Sequence, residues 1–149
     1  MDIARVFLAA IAAAALVSCS PAADRAEPGV LAGSYTFIAD GHRTMIDGVP
    51  QTNGQTSTTT WMITPCGAGC SHVASSLGWT LDLHLVDNAW RGTRVLADIC
   101  AGDDGTKSTL TYELNTSDLA GKVANYMPCS RPPKTAVTPA RLTAAPGYR

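Results

Sequence analysis

In Gly78-Trp79-Thr80-Leu81-Asp82-Leu83-His84-Leu85-Val86, apolar and polar side chains alternate from Trp79 to Leu85. Trp79, Leu81, Leu83 and Leu85 fall on one side of an extended chain; Thr80, Asp82 and His84 fall on the other. A period of two marks a β-strand with one face in a core and one in water. Half-buried strands of this kind belong to antiparallel sheets. Asp87-Asn88 supplies a hairpin turn, and 89–95 runs back.

The same pattern repeats on both sides of this hairpin. Upstream, 34–39 reads as a first strand, while Asp47-Gly48, Pro50 and Asn53-Gly54 are turn chemistry. Residues 56–64 read as a Thr-rich strand with Trp61 and Ile63 alternating against polar neighbours, ended by Pro65. Downstream, 96–100 either continues the return strand or begins another, and Gly102 to Gly105 turns the chain. Residues 109–114 put Leu110, Tyr112 and Leu114 inward, Asn115 to Asp118 turns, and 119–126 returns. A last strand falls over 136–143, where Pro139 restricts it to an edge or a bulge. Seven or eight short strands joined by hairpin-length turns predict a single all-β domain, an antiparallel meander forming a barrel or a sandwich.

The chain has 149 residues, but its first 18 belong to an address rather than a fold. Residues 6–17 are an unbroken apolar run behind Arg5. As a helix this run would span about 18 Å against a hydrocarbon core of roughly 30 Å. It therefore reads as a signal-peptide core and not a membrane span. Leu16-Val17-Ser18-Cys19 resembles the lipobox of bacterial lipoproteins. That resemblance implies cleavage before Cys19, a diacylglycerol thioether on its sulfur and an acylated amino group, hence two or three acyl chains and stable anchoring. The expected organisation is a lipoprotein signal peptide at 1–18, a flexible tether at 19–32, a β-domain at 33–143 and a disordered tail at 144–149. Without the address the chain is only about 40 % apolar, against roughly 45–50 % for ordinary globular domains. The formal net charge of −1 gives no sign of a nucleic-acid partner.

Five cysteines, at 19, 66, 70, 100 and 129, are an odd number for an exported chain. Lipidation of Cys19 leaves four in an oxidising compartment. Gly67 and Gly69 allow the short Cys66–Cys70 loop to close on itself. We therefore favour Cys66–Cys70 with Cys100–Cys129, the crossed pairings staying open. The second pairing, closing about 30 residues, would stabilise a thin core by roughly 3–4 kcal/mol.

Thr60-Trp-Met-Ile-Thr-Pro-Cys-Gly-Ala-Gly-Cys-Ser-His-Val73, Trp90 soon after Leu85-Val86, and Tyr112-Glu-Leu114 followed by Leu119-Ala-Gly121 resemble a group of small exported mycobacterial and related actinobacterial proteins. The resemblance covers about residues 33–143 and rests chiefly on the P-C-G-x-G-C element. It implies export or lipid anchoring and a β-domain. It carries no activity and no catalytic residue.

Each remaining cluster has a plain alternative. Cys66, Cys70 and His72, with His84 or His42, could hold a soft metal through two thiolates and an imidazole if the cysteines were reduced. The simpler expectation is a disulfide-closed loop with His72 at the surface and no metal or other cofactor. Ser71 beside His72, and Asp103 beside Asp104, have no surrounding catalytic motif. Asp82 and His84 share a strand face that reads as solvated. Trp61, Trp79 and Trp90 read as core, with Trp79 and Trp90 able to pack together across their hairpin, or else as the lining of a ligand cavity. The sequence thus points to a lipid-anchored extracytoplasmic domain with a binding or envelope-structural role and no catalysis. Its partners would be the membrane, through the anchor, and a small apolar ligand or an envelope protein. The alternatives are a carrier of a small apolar ligand and a metal or redox protein using Cys66, Cys70 and His72.

Overall fold

A computed structural model describes residues 29–99 and 106–146. In chain order the strands are β1 (Gly33–Ala39), β2 (Met45–Ile46), β3 (Val49–Pro50), β4 (Ser57–Gly67), β5 (Cys70–Ser75), β6 (Thr80–Val86), β7 (Ala89–Ile99), β8 (Lys107–Asn115), β9 (Ala120–Met127) and β10 (Lys134–Ala144). From β4 to β10 each strand pairs antiparallel with its successor. β1 pairs with both β4 and β10, and so closes an eight-stranded barrel. The meander expected from the hairpin spacing is therefore a closed barrel and not a sandwich. A 3-10 turn at Gly41–Arg43 and the β2–β3 hairpin continue along the flank of β10, where Val137 opposes Met45.

Four strands differ from the sequence reading: β2 and β3 form a short hairpin where only turns were expected, and β4 and β5 differ as follows. Pro65 does not end β4, which runs on to Gly67 with a register irregularity between the two. The ladder with β1 stops at Ile63. Beyond it one side of β4 is an edge, where a proline costs no ladder hydrogen bond. β5 was not legible as a strand because its inward positions are Ser71, Val73 and Ser75, too small and polar to show an apolar stripe. Pro139 lies inside β10 as expected, at a place that is locally an edge. Its neighbours Ala140 and Val137 pair with Ala39 and Met45, and its carbonyl accepts from the Asp40 N–H at 2.8 Å, between the end of β1 and the start of β2.

The barrel has two unlike ends. At the base lie the Cys66–Cys70 loop, the Asp87-Asn88 turn, the 115–119 turn and both the first and last described residues. Here the lumen is filled by Ile63, Val73, Leu83, Trp90, Leu114 and Leu142. Leu31, expected in a free tether, is instead buried, and its carbonyl accepts from the buried Ser71 Oγ at 2.8 Å. The folded domain therefore includes residues just before β1. Aromatic rings fill the middle. Phe37 stacks on Trp61 with centroids 4.3 Å apart, and Tyr112 meets both edge-on at 5.7 and 5.5 Å. The opposite end is the mouth, where β1 ends and β4 begins.

Candidate functional site

The sites anticipated from sequence separate in space. Cys66 and Cys70 form a disulfide at the base, with Cα atoms 5.0 Å apart. Their thiols are thereby removed from any donor set. Cys129 is also disulfide-bonded; Cys100, the partner expected for it, and Cys19, the expected lipidation site, lie outside the described residues. His72 sits on the outer face with Nδ1 2.5 Å from Asp82 Oδ1, across the β5–β6 ladder. Asp82 thus pairs with His72 and not with His84, which opposes Cys70 and Arg91. Among the described residues no group of three or more His, Cys, Asp or Glu is arranged to hold a metal ion. Ser71 turns into the core towards Leu31, away from His72 on the outer face.

The tryptophans also sort by end. Trp90 is core near the base and Trp61 is core in the middle. Trp79 lies towards the mouth, edge-on to Trp61 at 5.7 Å and stacked on Tyr112 at 6.0 Å. Trp79 thus packs on Trp61 and Tyr112, the Trp90 contact open to it from sequence not being the one made. Strand alternation puts both indoles inside, but the barrel is tall enough to seat them in different layers.

The lumen becomes polar at the mouth. Arg94 lies two places along β7 from Gly92 and four from Trp90, so the pleat turns it inward. It opposes Leu110, which opposes Asn125, which opposes Ala136. One row of cross-strand neighbours thus carries a guanidinium and an amide around a quarter of the mouth. Thr59, opposite the buried Phe37, faces inward on β4. Arg94 stands over the Trp79 ring, 4.3 Å from its centroid, a cation–π contact worth about 0.5–2 kcal/mol. It also acts on Tyr112: burial pushes that phenol above its ordinary value, while the Arg94 charge and a hydrogen bond from its side chain pull it part of the way back.

Four buried side-chain atoms have no hydrogen-bond partner among the described residues: Trp61 Nε1 in the middle, and Thr59 Oγ1, Arg94 Nε and Asn125 Oδ1 towards the mouth. Buried polar groups are nearly always paired, so unpaired ones mark places where a water or a ligand would be held. Of these four residues, Asn125 borders an open space. A cavity of about 320 Å³ at the mouth is floored by Leu110, Val123 and Ala136 and edged by Asn125, Ser57 and Thr138. Thr138 Oγ1 lies 2.8 Å from Thr44 Oγ1. Sequence reading missed these residues. The available signal was Arg94 itself, a charge on the face that period two assigns to Trp90.

Together these features define a closed antiparallel barrel whose middle is filled and whose mouth is polar. No protein family's sequence pattern matches the chain, and none of the curated proteins compared with it matches in sequence. Among solved structures, the monomer form of the M. tuberculosis PknI sensor domain is similar in fold. The TM-score is 0.56 at 15 % identity, over 77 % of this chain and 87 % of that one. At that identity the likeness is one of fold.

Proposed function

We propose that the protein is a lipid-anchored, extracytoplasmic recognition domain that takes a small polar ligand at the barrel mouth and performs no catalysis. The unpartnered buried atoms of Arg94, Thr59 and Asn125 in the lumen, with Asn125 on the wall of a cavity at the mouth, carry this reading. A ligand offering an acceptor to Arg94 and a donor to Asn125 would relieve both. Phe37, Trp61 and Tyr112 occupy the middle of the lumen, which favours the mouth over a carrier-type interior for an apolar ligand. The Cys66–Cys70 disulfide suits an oxidising compartment. Asp82, Arg91, Glu113 and Lys122 on the outer face suit water. The PknI neighbour is a sensor domain, in keeping with recognition as the role of this fold. The apolar run at 6–17 and the lipobox-like Leu16–Cys19 support the anchor.

The test is a screen of polar envelope components against the isolated barrel by amide chemical-shift mapping. The expected result is a ligand whose shifts centre on Arg94, Asn125 and Thr138 and whose affinity falls at least tenfold in Arg94→Met and in Asn125→Ala. Binding that maps elsewhere and ignores both substitutions would remove the mouth from consideration.

A further inference from the structure

We infer that the base of the barrel houses one acyl chain of the protein's own anchor. This rests on the reading of Cys19 as the lipidated residue. A pocket of about 570 Å³ opens at the base, walled by Val30, Leu31, Leu85, Trp90 and Leu119 and rimmed by Asn88, Thr116 and Ser117. Its volume falls within the roughly 300–1,000 Å³ of small-molecule sites. An apolar wall with an amide and two hydroxyls at the rim fits an amphiphile, the chain inside and its ester end at the edge.

The walls are fixed by the fold and do not depend on the occupant. The Leu31 carbonyl accepts from Ser71 Oγ at 2.8 Å, the Leu85 N–H donates to the Gly69 carbonyl at 2.8 Å, and the Leu142 N–H donates to the Leu119 carbonyl at 2.9 Å. Trp90 and Leu31 are each only 3 % exposed and back the pocket from the core side.

The course of the chain selects the occupant. Gly29, Val30 and Leu31, which line the pocket, are the residues by which the tether joins the barrel. Ten positions separate Cys19 from Gly29, a reach of at most about 36 Å when extended and about 17 Å on average. The anchor therefore arrives at the base, beside this pocket, at an effective concentration in the millimolar range. Stable attachment takes two chains. A third, on the amino group of Cys19, is free to leave the bilayer without releasing the protein.

The experiment uses the full chain in cells fed a photoreactive, clickable fatty acid, with irradiation followed by peptide mapping. The expected result is label dependent on Cys19 and cross-links within the same polypeptide to 30–35, 85–90 and 116–119. The exposed pocket-edge substitution Ser117→Trp should cut these cross-links at least fivefold while near-UV circular dichroism shows an intact barrel. Cys19-dependent label whose cross-links miss these segments, or persist undiminished in Ser117→Trp, overturns the inference and leaves lipidation standing. Label that does not depend on Cys19 overturns both. In a second arm, purified protein with an unlabelled anchor sits in phosphatidylglycerol vesicles containing a photoreactive phospholipid. Cross-linking of the pocket there assigns it to a bilayer lipid and overturns the anchor as occupant; protection of the pocket supports the anchor.

Discussion

Gly92 shows how closely two strands are fitted. A Cβ at this position would meet the Asp82 carbonyl oxygen at 2.6 Å and the Leu81 and Leu83 methyls at 3.0 Å. The carbonyl is backbone and cannot step aside, so β6 and β7 would have to part. Gly92→Ala is expected to lower stability by about 1–3 kcal/mol, read as a lower urea midpoint with an unchanged denaturant slope. Arg94 is a second case in which one residue sets a measurable property. The Tyr112 phenol is held above its ordinary value by burial, and Arg94 opposes that shift. A raised phenol means that the folded state disfavours the ionised form. Its contribution is complete below the unfolded value near pH 10 and is lost as pH climbs through the folded one, because the unfolded chain releases its proton first. Arg94→Met removes the opposing charge. Phenolate absorbance should then place Tyr112 higher still, and urea unfolding above pH 10 should show a larger loss of stability than in the unmodified protein.

Single elements differ in how openly the sequence declared them. β6 was legible because Leu81 and Leu83 are large and Thr80, Asp82 and His84 are polar, so the pleat is written in the side chains. β5 packs in the same ladder but turns Ser71 and Ser75 inward, where Ser71 Oγ donates to the Leu31 carbonyl and Ser75 lies opposite Trp61. The end of β4 was misread because the rule about proline concerns ladder partners, and sequence does not say where β1 stops alongside. Closure of the barrel was also out of reach, since it depends on β1 meeting β10 across more than a hundred residues. The disulfide was legible because its five-residue loop with two glycines is local chemistry. The mouth was not, because Arg94, Thr59 and Asn125 come from three strands and converge only once the sheet curls. These elements act separately, and that can be measured. Replacing Cys66 and Cys70 together by Ser should cost about 2 kcal/mol on the chain-entropy estimate for so short a loop. The readout is the urea midpoint under non-reducing conditions. Ligand affinity at the mouth should stay within a factor of two, since the loop lies at the other end.

At the scale of the whole molecule the barrel is an oriented object. The base carries the joint to the tether, and the mouth lies a strand length away, about 23 Å for the seven residues of β1. Because the chain enters the barrel at the base, an anchor at Cys19 would favour the base towards the membrane and the mouth turned outward, where a ligand arrives by diffusion. The apolar side chains exposed near the mouth, including Val49 on the β2–β3 hairpin, would face away from lipid. This arrangement predicts an asymmetry in access. With single cysteines introduced at Val49 and at Thr116, a polyethylene-glycol maleimide applied to intact cells should modify the Val49 position several-fold faster than the Thr116 position. In the purified Cys19→Ala protein, free of the anchor, the two rates should converge, because both sites are exposed on the barrel itself. Equal rates on cells would mean that the tether lets the barrel tumble, and the membrane would then play no part in presenting the mouth. A reversed order would place the mouth against the lipid and make the base the recognition surface. The pocket walled by Leu85, Trp90 and Leu119 would then be open to the medium, and it would become the first place to look for a ligand.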